Sequence, residues 1–151
     1  MSMTHLPVAE RPLVTATGDT YVDVSAGVYT GWLPLLTVAP SGSLAAYDVF
    51  VAIDLDKATT GFAATQTTQT AQFAVARKID GTNWRRDLAS ITAALAGDNA
   101  DTQYHGFVIG EVGPNEDVRI EVILSAENGD IVFPYLVQYR GGPVTVTAVT
   151  P

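Results

Sequence analysis

Three aspartates, Asp48, Asp54 and Asp56, punctuate the stretch Ala45–Asp56 and could offer oxygen ligands to a cation. A calcium loop needs more acidic or amide positions at close spacing, together with a glycine turn. Asp54-Leu55-Asp56-Lys57-Ala58 supplies neither, so these carboxylates read as solvated groups at a strand end. Two histidines are present, His5 near the start and His105 in Gln103-Tyr104-His105-Gly106. A metal site needs several convergent ligands, and this chain has no cysteine to add to them. No Gly-x-Ser-x-Gly turn presents a nucleophile, and the serines fall in ordinary turn contexts. Glu116, Asp117 and Glu121 read as solvated carboxylates beside a turn and on a polar strand face. Gly106 and Gly110 bracket an apolar strand, which is not the strand–helix junction of a phosphate loop. The residue types therefore point away from an enzyme, and no metal or other cofactor is expected.

A different chemistry is concentrated between positions 77 and 86. Four of the eight basic residues, Arg77, Lys78, Arg85 and Arg86, fall there, around Trp84. The plain reading is a pair of solvated strand faces flanking a turn. The sharper one is a basic patch facing an acidic protein partner. Arg77 and Trp84 are placed to meet across the hairpin in a cation–π contact. Trp32, Trp84 and the tyrosines could form a sugar-stacking platform. They alternate largely in phase with Val, Ile and Leu, which favours core packing.

The elements that carry these residues read as strands throughout. In Ala45–Asp56, Tyr47, Val49, Val51, Ile53 and Leu55 alternate with polar or smaller partners, the period of a strand with one face in a core. Leu13–Thr17 and Thr20–Val24 are short strands about a Gly18-Asp19 hairpin turn. Val28–Val38 is β-rich, with Pro34 forcing an edge or bulge and with Trp32 and Leu36 on its core face. Lys57–Thr70 is a Thr/Gln-rich loop long enough to touch a partner. Ala71–Ile79 and Trp84–Leu88 form a hairpin on Asp80-Gly81. Asp87–Gly97 has helical spacing at Leu88, Ile91 and Leu95 and reads as a short helix, with a strand as the competing reading. Strands follow at Tyr104–Val112, Val118–Leu124, Ile131–Tyr139 and Val144–Val149. The fold class is all-β: an antiparallel, jelly-roll-like β-sandwich over residues 13–151, with at most one short helix, preceded by an extended arm over residues 1–12.

The totals bound what such a domain can do. The chain has 151 residues, 47% hydrophobic and only 16% charged, which fits one domain with a polar, uncharged coat or with surface given to other subunits. Its net charge of −8 argues against sequence-independent nucleic-acid binding and against docking on anionic lipid. No apolar run approaches a membrane span, and the N-terminus lacks the charge-then-apolar order of a secretion signal. With no cysteine, stability must come from packing or assembly.

Taken over its full length, the chain resembles the β-sandwich or jelly-roll decoration (cement) proteins of tailed-bacteriophage capsids. The resemblance lies in the acidic, cysteine-free, Ala/Thr/Val/Gly-rich composition, the arm MSMTHLPVAERP and segments such as FAVARKIDGTNWRRD. It implies a virion protein on the outer surface of a capsid shell, made in the host cytoplasm, with the major capsid protein as partner. It also implies a homo-oligomer, trimer or dimer, that bridges capsomers and stiffens the particle. The expected partner contacts are His5, Arg11, Arg77, Lys78, Trp84, Arg85 and Arg86. The alternatives are a carbohydrate- or receptor-binding module of tail-fibre or adhesin type, and another tail or neck component of a virion. Low-charge strands and a Pro-punctuated arm both suit strand addition to a neighbour.

Overall fold

A computed structural model of the chain describes residues 7, 10–24, 31–54, 70–78, 80–87, 91–94, 104–124 and 129–150. Among the described residues ten strands run in order: β1 Val14–Val24, β2 Leu33–Pro40, β3 Ala46–Asp54, β4 Thr70–Lys78, β5 Arg85–Arg86, β6 Ile91–Ala94, β7 Tyr104–Val112, β8 Asp117–Leu124, β9 Gly129–Gly141 and β10 Val144–Ala148. They form two antiparallel sheets. One has the order β1-β9-β3-β7, and the other β10-β2-β8-β4-β5, with β6 also paired to β4. The chain passes between the sheets again and again, and the last long strands return beside the first. This nesting is a jelly roll, an all-β sandwich of two Greek keys. No α-helix is present among the described residues.

The core lies between the sheets. Phe73 from β4 reaches across to Phe107 on β7 and Phe133 on β9, each with ring centroids 6.0 Å away. Val49, Val51 and Ile53 from β3 and Val118, Ile120 and Val122 from β8 pack around them, all essentially inaccessible. The period-two reading of these strands therefore holds where it predicts the inward face. It breaks once in β3. The register shifts between Ala46 and Phe50, and Asp48 sits at a φ of 53°, so the strand bulges there. Tyr47 leaves the core face as a result.

Other expectations need correction. Gly18-Asp19 is no turn, because β1 continues unbroken through it and pairs with β9 along its length. Gly18 lies opposite Tyr135, and a Cβ there would come within 2.7 Å of the tyrosine hydroxyl. The glycine makes room for a ring and does not reverse the chain. The helical spacing of Asp87–Gly97 also misleads. Ile91–Ala94 is strand β6, paired with Thr70–Phe73, so hydrogen bonding to β4 overrides the local preference of its alanines. Residues 88–90 and 95–97 lie outside the described residues. Pro34 does mark a bulge in β2, and both Leu35 and Leu36 turn inward there. The Lys57–Thr70 loop lies outside the described residues up to Thr70, which opens β4.

The two sheets are also tied by polar links. Thr20 on β1 is buried and donates its hydroxyl to the Leu35 carbonyl, 2.5 Å away. The Val149 amide donates to that same carbonyl, and the Tyr21 amide donates to the Val149 carbonyl. The segment after β10 thus bridges β2 to β1. Beside this seam is a small apolar cleft lined by Tyr21, Val22, Leu33, Pro34 and Val149.

Candidate docking surface

The outer face of the β2-β8-β4 sheet carries the densest set of charges and aromatics. β8 places Glu121 and Arg119 two residues apart, hence on one face. Glu121 lies between Pro34 of β2 and Ala74 of β4, and Arg119 is paired with Ala76 of β4. The two alanines are fully buried and small, which leaves space above them for longer neighbours. Arg86 Nε from β5 donates to Glu121 Oε2 at 2.5 Å, and Arg119 Nη2 donates to Oε1 at 2.5 Å. Glu121 has no exposed surface. Such a buried carboxylate is tolerable only because two guanidiniums neutralise it and fill its acceptor sites.

Each arginine also lies over an indole. Arg119 is 4.1 Å from the Trp84 ring centre, with Lys78 at 5.1 Å, and Arg86 is 4.9 Å from the Trp32 ring centre. The result is a continuous row, Trp84–Arg119–Glu121–Arg86–Trp32. Lys78 is held by Asp117 at 3.2 Å. Arg85 is exposed, and no ion pair holds it among the described residues. On this face Lys78, Arg86 and Arg119 stand against Asp117 and Glu121, three cations to two carboxylates, while Arg85, opposite Arg77 in the strand register, falls on the other face of the hairpin.

Arg77 has a separate job. It points to the other sheet, where Nη2 donates to the Ile109 carbonyl at 2.6 Å and Nη1 to the Glu111 carbonyl at 3.3 Å, with Glu116 as its ionic partner. The expected Arg77–Trp84 contact is replaced by Lys78 and Arg119 on Trp84, because Arg77 falls on the inward-facing phase of β4. The turn between β4 and β5 is fixed by Asp80, whose carboxylate accepts from the Asn83 and Thr82 amides and the Asn83 side chain. These donors, Asn83 foremost, lower its pKa to about 2. Of the arm residues, Arg11 is described, with its carbonyl accepting from Arg140 at 2.8 Å, and His5 lies outside the described residues.

Sequence reasoning missed Trp32, Arg119 and Glu121 as members of this row. Trp32 was expected in the core and instead meets Arg86. Glu116, Asp117 and Glu121 were expected in solvent and are instead paired with Arg77, Lys78 and the two arginines. The alternation of β8 already put Arg119 and Glu121 on one face; what it lacked was the knowledge that β4 contributes alanines beside them. Asp54 is likewise buried, not solvated, at 1% exposure. His105 faces inward between Phe73 and Phe107, its Nε2 is enclosed without a hydrogen-bond partner among the described residues, and burial pushes its pKa below the ordinary 6.5. No group of three His, Asp or Glu side chains is placed to hold a metal among the described residues, and no described helix is long and apolar enough to cross a membrane.

No family model matches the sequence, and no curated protein matches it. Among solved structures, a chain in the structure of infectious bursal disease virus, Gt strain, is similar with a TM-score of 0.38 and 12% identity, over 95% of this chain and 39% of that one. The Clostridium thermocellum xylanase 10B fragment with CBM22-1 and GH10 modules, complexed with xylohexaose, is similar with a TM-score of 0.36 and 13% identity, over 91% of this chain and 27% of that one. The chain spans well under half of either protein, and its fold stands on its own strand pairing.

Proposed function

We propose that the chain is a non-enzymatic structural subunit that decorates an assembled phage capsid shell, on its outer surface, through protein–protein contacts. The observation that carries this reading is the Trp84–Arg119–Glu121–Arg86–Trp32 row. Tryptophan and arginine are the side chains that most often anchor protein interfaces, above all where their rotamers are already fixed. Here stacking and a shared buried carboxylate fix them before any partner arrives, which lowers the entropy lost on docking. The positive surplus selects an acidic partner surface, the major capsid protein in this reading. Arg86, on the last strand of this sheet and with its side chain 38% exposed, stands at the rim, where charge chiefly sets the association rate and the salt dependence. Co-sedimentation with shells assembled without the chain tests the proposal: saturable uptake at a fixed ratio supports it, and no uptake overturns it.

A second reading, glycan binding, draws on Tyr104, the one exposed aromatic side chain among the described residues, at 48%. Cations already lie over both Trp32 and Trp84, so those rings are poor platforms for a sugar. No glycan affinity in the parent would remove this alternative, and affinity that survives loss of the Tyr104 ring would remove Tyr104 as its site.

A further inference from the structure

β7 is the outermost strand of its sheet, so one side of its main chain faces away from β3. Natural proteins guard such edges with charge, proline or a covering group. Here Arg77 covers part of it, because its guanidinium takes the carbonyls of Ile109 and Glu111, two places apart on one side of the strand. The stretch Tyr104–Val108 has no such cover among the described contacts. It holds no Asp, Glu, Lys or Arg and no proline. Its two most exposed side chains are apolar: Val108 is 87% exposed and Tyr104 48%. Both project to the outer face, while His105 and Phe107 project inward. Between them lies Gly106, whose missing side chain is replaced by the Phe50 ring, since a Cβ there would come within 2.6 Å of Phe50 Cζ.

The open stretch is symmetric about Gly106. In antiparallel pairing centred on Gly106, Tyr104 of one copy lies opposite Val108 of the other, and Val108 opposite Tyr104. Each exposed apolar side chain then covers its counterpart, with both Phe50 rings flanking the seam. We propose that Tyr104–Val108 pairs with the same stretch of a second copy about a two-fold axis, joining two four-stranded sheets edge to edge. Arg77 sets the limit of this pairing by occupying the next carbonyls along the strand. A short, uncharged segment also keeps two copies of net charge −8 from opposing like charges at the seam. The occupant is a second copy because the match is of the segment with itself, an isologous contact.

The test is the mass of the whole chain by light scattering from about 1 to 100 µM, the range in which a modest interface forms, with amide exchange at both ends of that range. Expected are a monomer–dimer transition, slower exchange of the 104–108 amides at high concentration, and at least a tenfold weaker dimer in Val108→Lys. Val108 is so exposed that this variant should keep the unfolding midpoint of the parent. A monomer throughout, a trimer, or a dimer that Val108→Lys leaves intact overturns the proposal. The inference is independent of shell binding: a dimer without shell uptake removes the decoration reading alone, and shell uptake by a strict monomer removes this one alone.

Discussion

At the scale of single residues, the chain concentrates its risk in Glu121 and His105. Glu121 is a fully buried carboxylate with two arginine partners whose side chains remain 38% and 23% exposed. Removing the carboxylate strands two cations, though both can still reach water. Glu121→Ala should therefore cost about 3 kcal/mol, the low end for breaking a buried pair. Urea unfolding checks this, with Glu121→Gln retaining shape and one acceptor. A loss below about 1 kcal/mol, the range of exposed pairs, would mean that the row is not a structural unit. His105 acts through protonation. Its native pKa lies below the 6.5 of the unfolded chain, so between those values the unfolded state binds more protons. Its contribution is complete above 6.5 and is lost as pH falls through the depressed value. Melting temperatures at about pH 7 and about pH 5, the window of histidine titration, should therefore drop more in the parent than in His105→Leu. Equal drops would show that His105 is not titrating in a buried setting.

At the scale of elements, strand positions were legible and strand pairing was not. The inward phases of β3, β4, β7 and β8 follow from period-two alternation alone. Pro34 announced its bulge, and Asp80-Gly81 its turn. Gly18 and Gly106 were opaque because each is shaped by a ring from another strand, Tyr135 or Phe50, and no local pattern encodes that. β6 was opaque for the same reason, since an Ala-rich segment takes the conformation its neighbour offers. The docking row was half legible. Arg86, Trp84 and Lys78 stood out as a basic cluster, whereas Trp32, Arg119 and Glu121 join it only through the β2-β8-β4-β5 order. Gly106 offers a direct check. Gly106→Ala should destabilise by about 1–3 kcal/mol by forcing Phe50 aside. Combining it with Phe50→Ala should cost less than the two changes summed. Additive losses in a denaturant series would show that the ring and the glycine are not coupled.

At the scale of the molecule, the two surfaces are on different parts of the sandwich. The Trp–Arg row covers the outer face of one sheet, and the open β7 edge belongs to the other. The two proposed contacts, to a second copy and to a shell, therefore do not compete for one surface. Each contact can then be modest, because linked sites raise overall avidity without new contacts. The extensive core lies behind both surfaces. The central claim is that the Trp84–Arg86 face docks on a capsid shell, and Lys78 gives the cleanest probe because it lies over Trp84 and pairs with Asp117, outside the ion pairs of Glu121. The measurement is the sedimentation of the parent and of Lys78→Glu with shells lacking the chain, at low and at physiological salt. The account predicts saturable binding by the parent that weakens with salt, and at least a tenfold loss in Lys78→Glu with its fold intact. Equal binding by both proteins, or none by either, would contradict it.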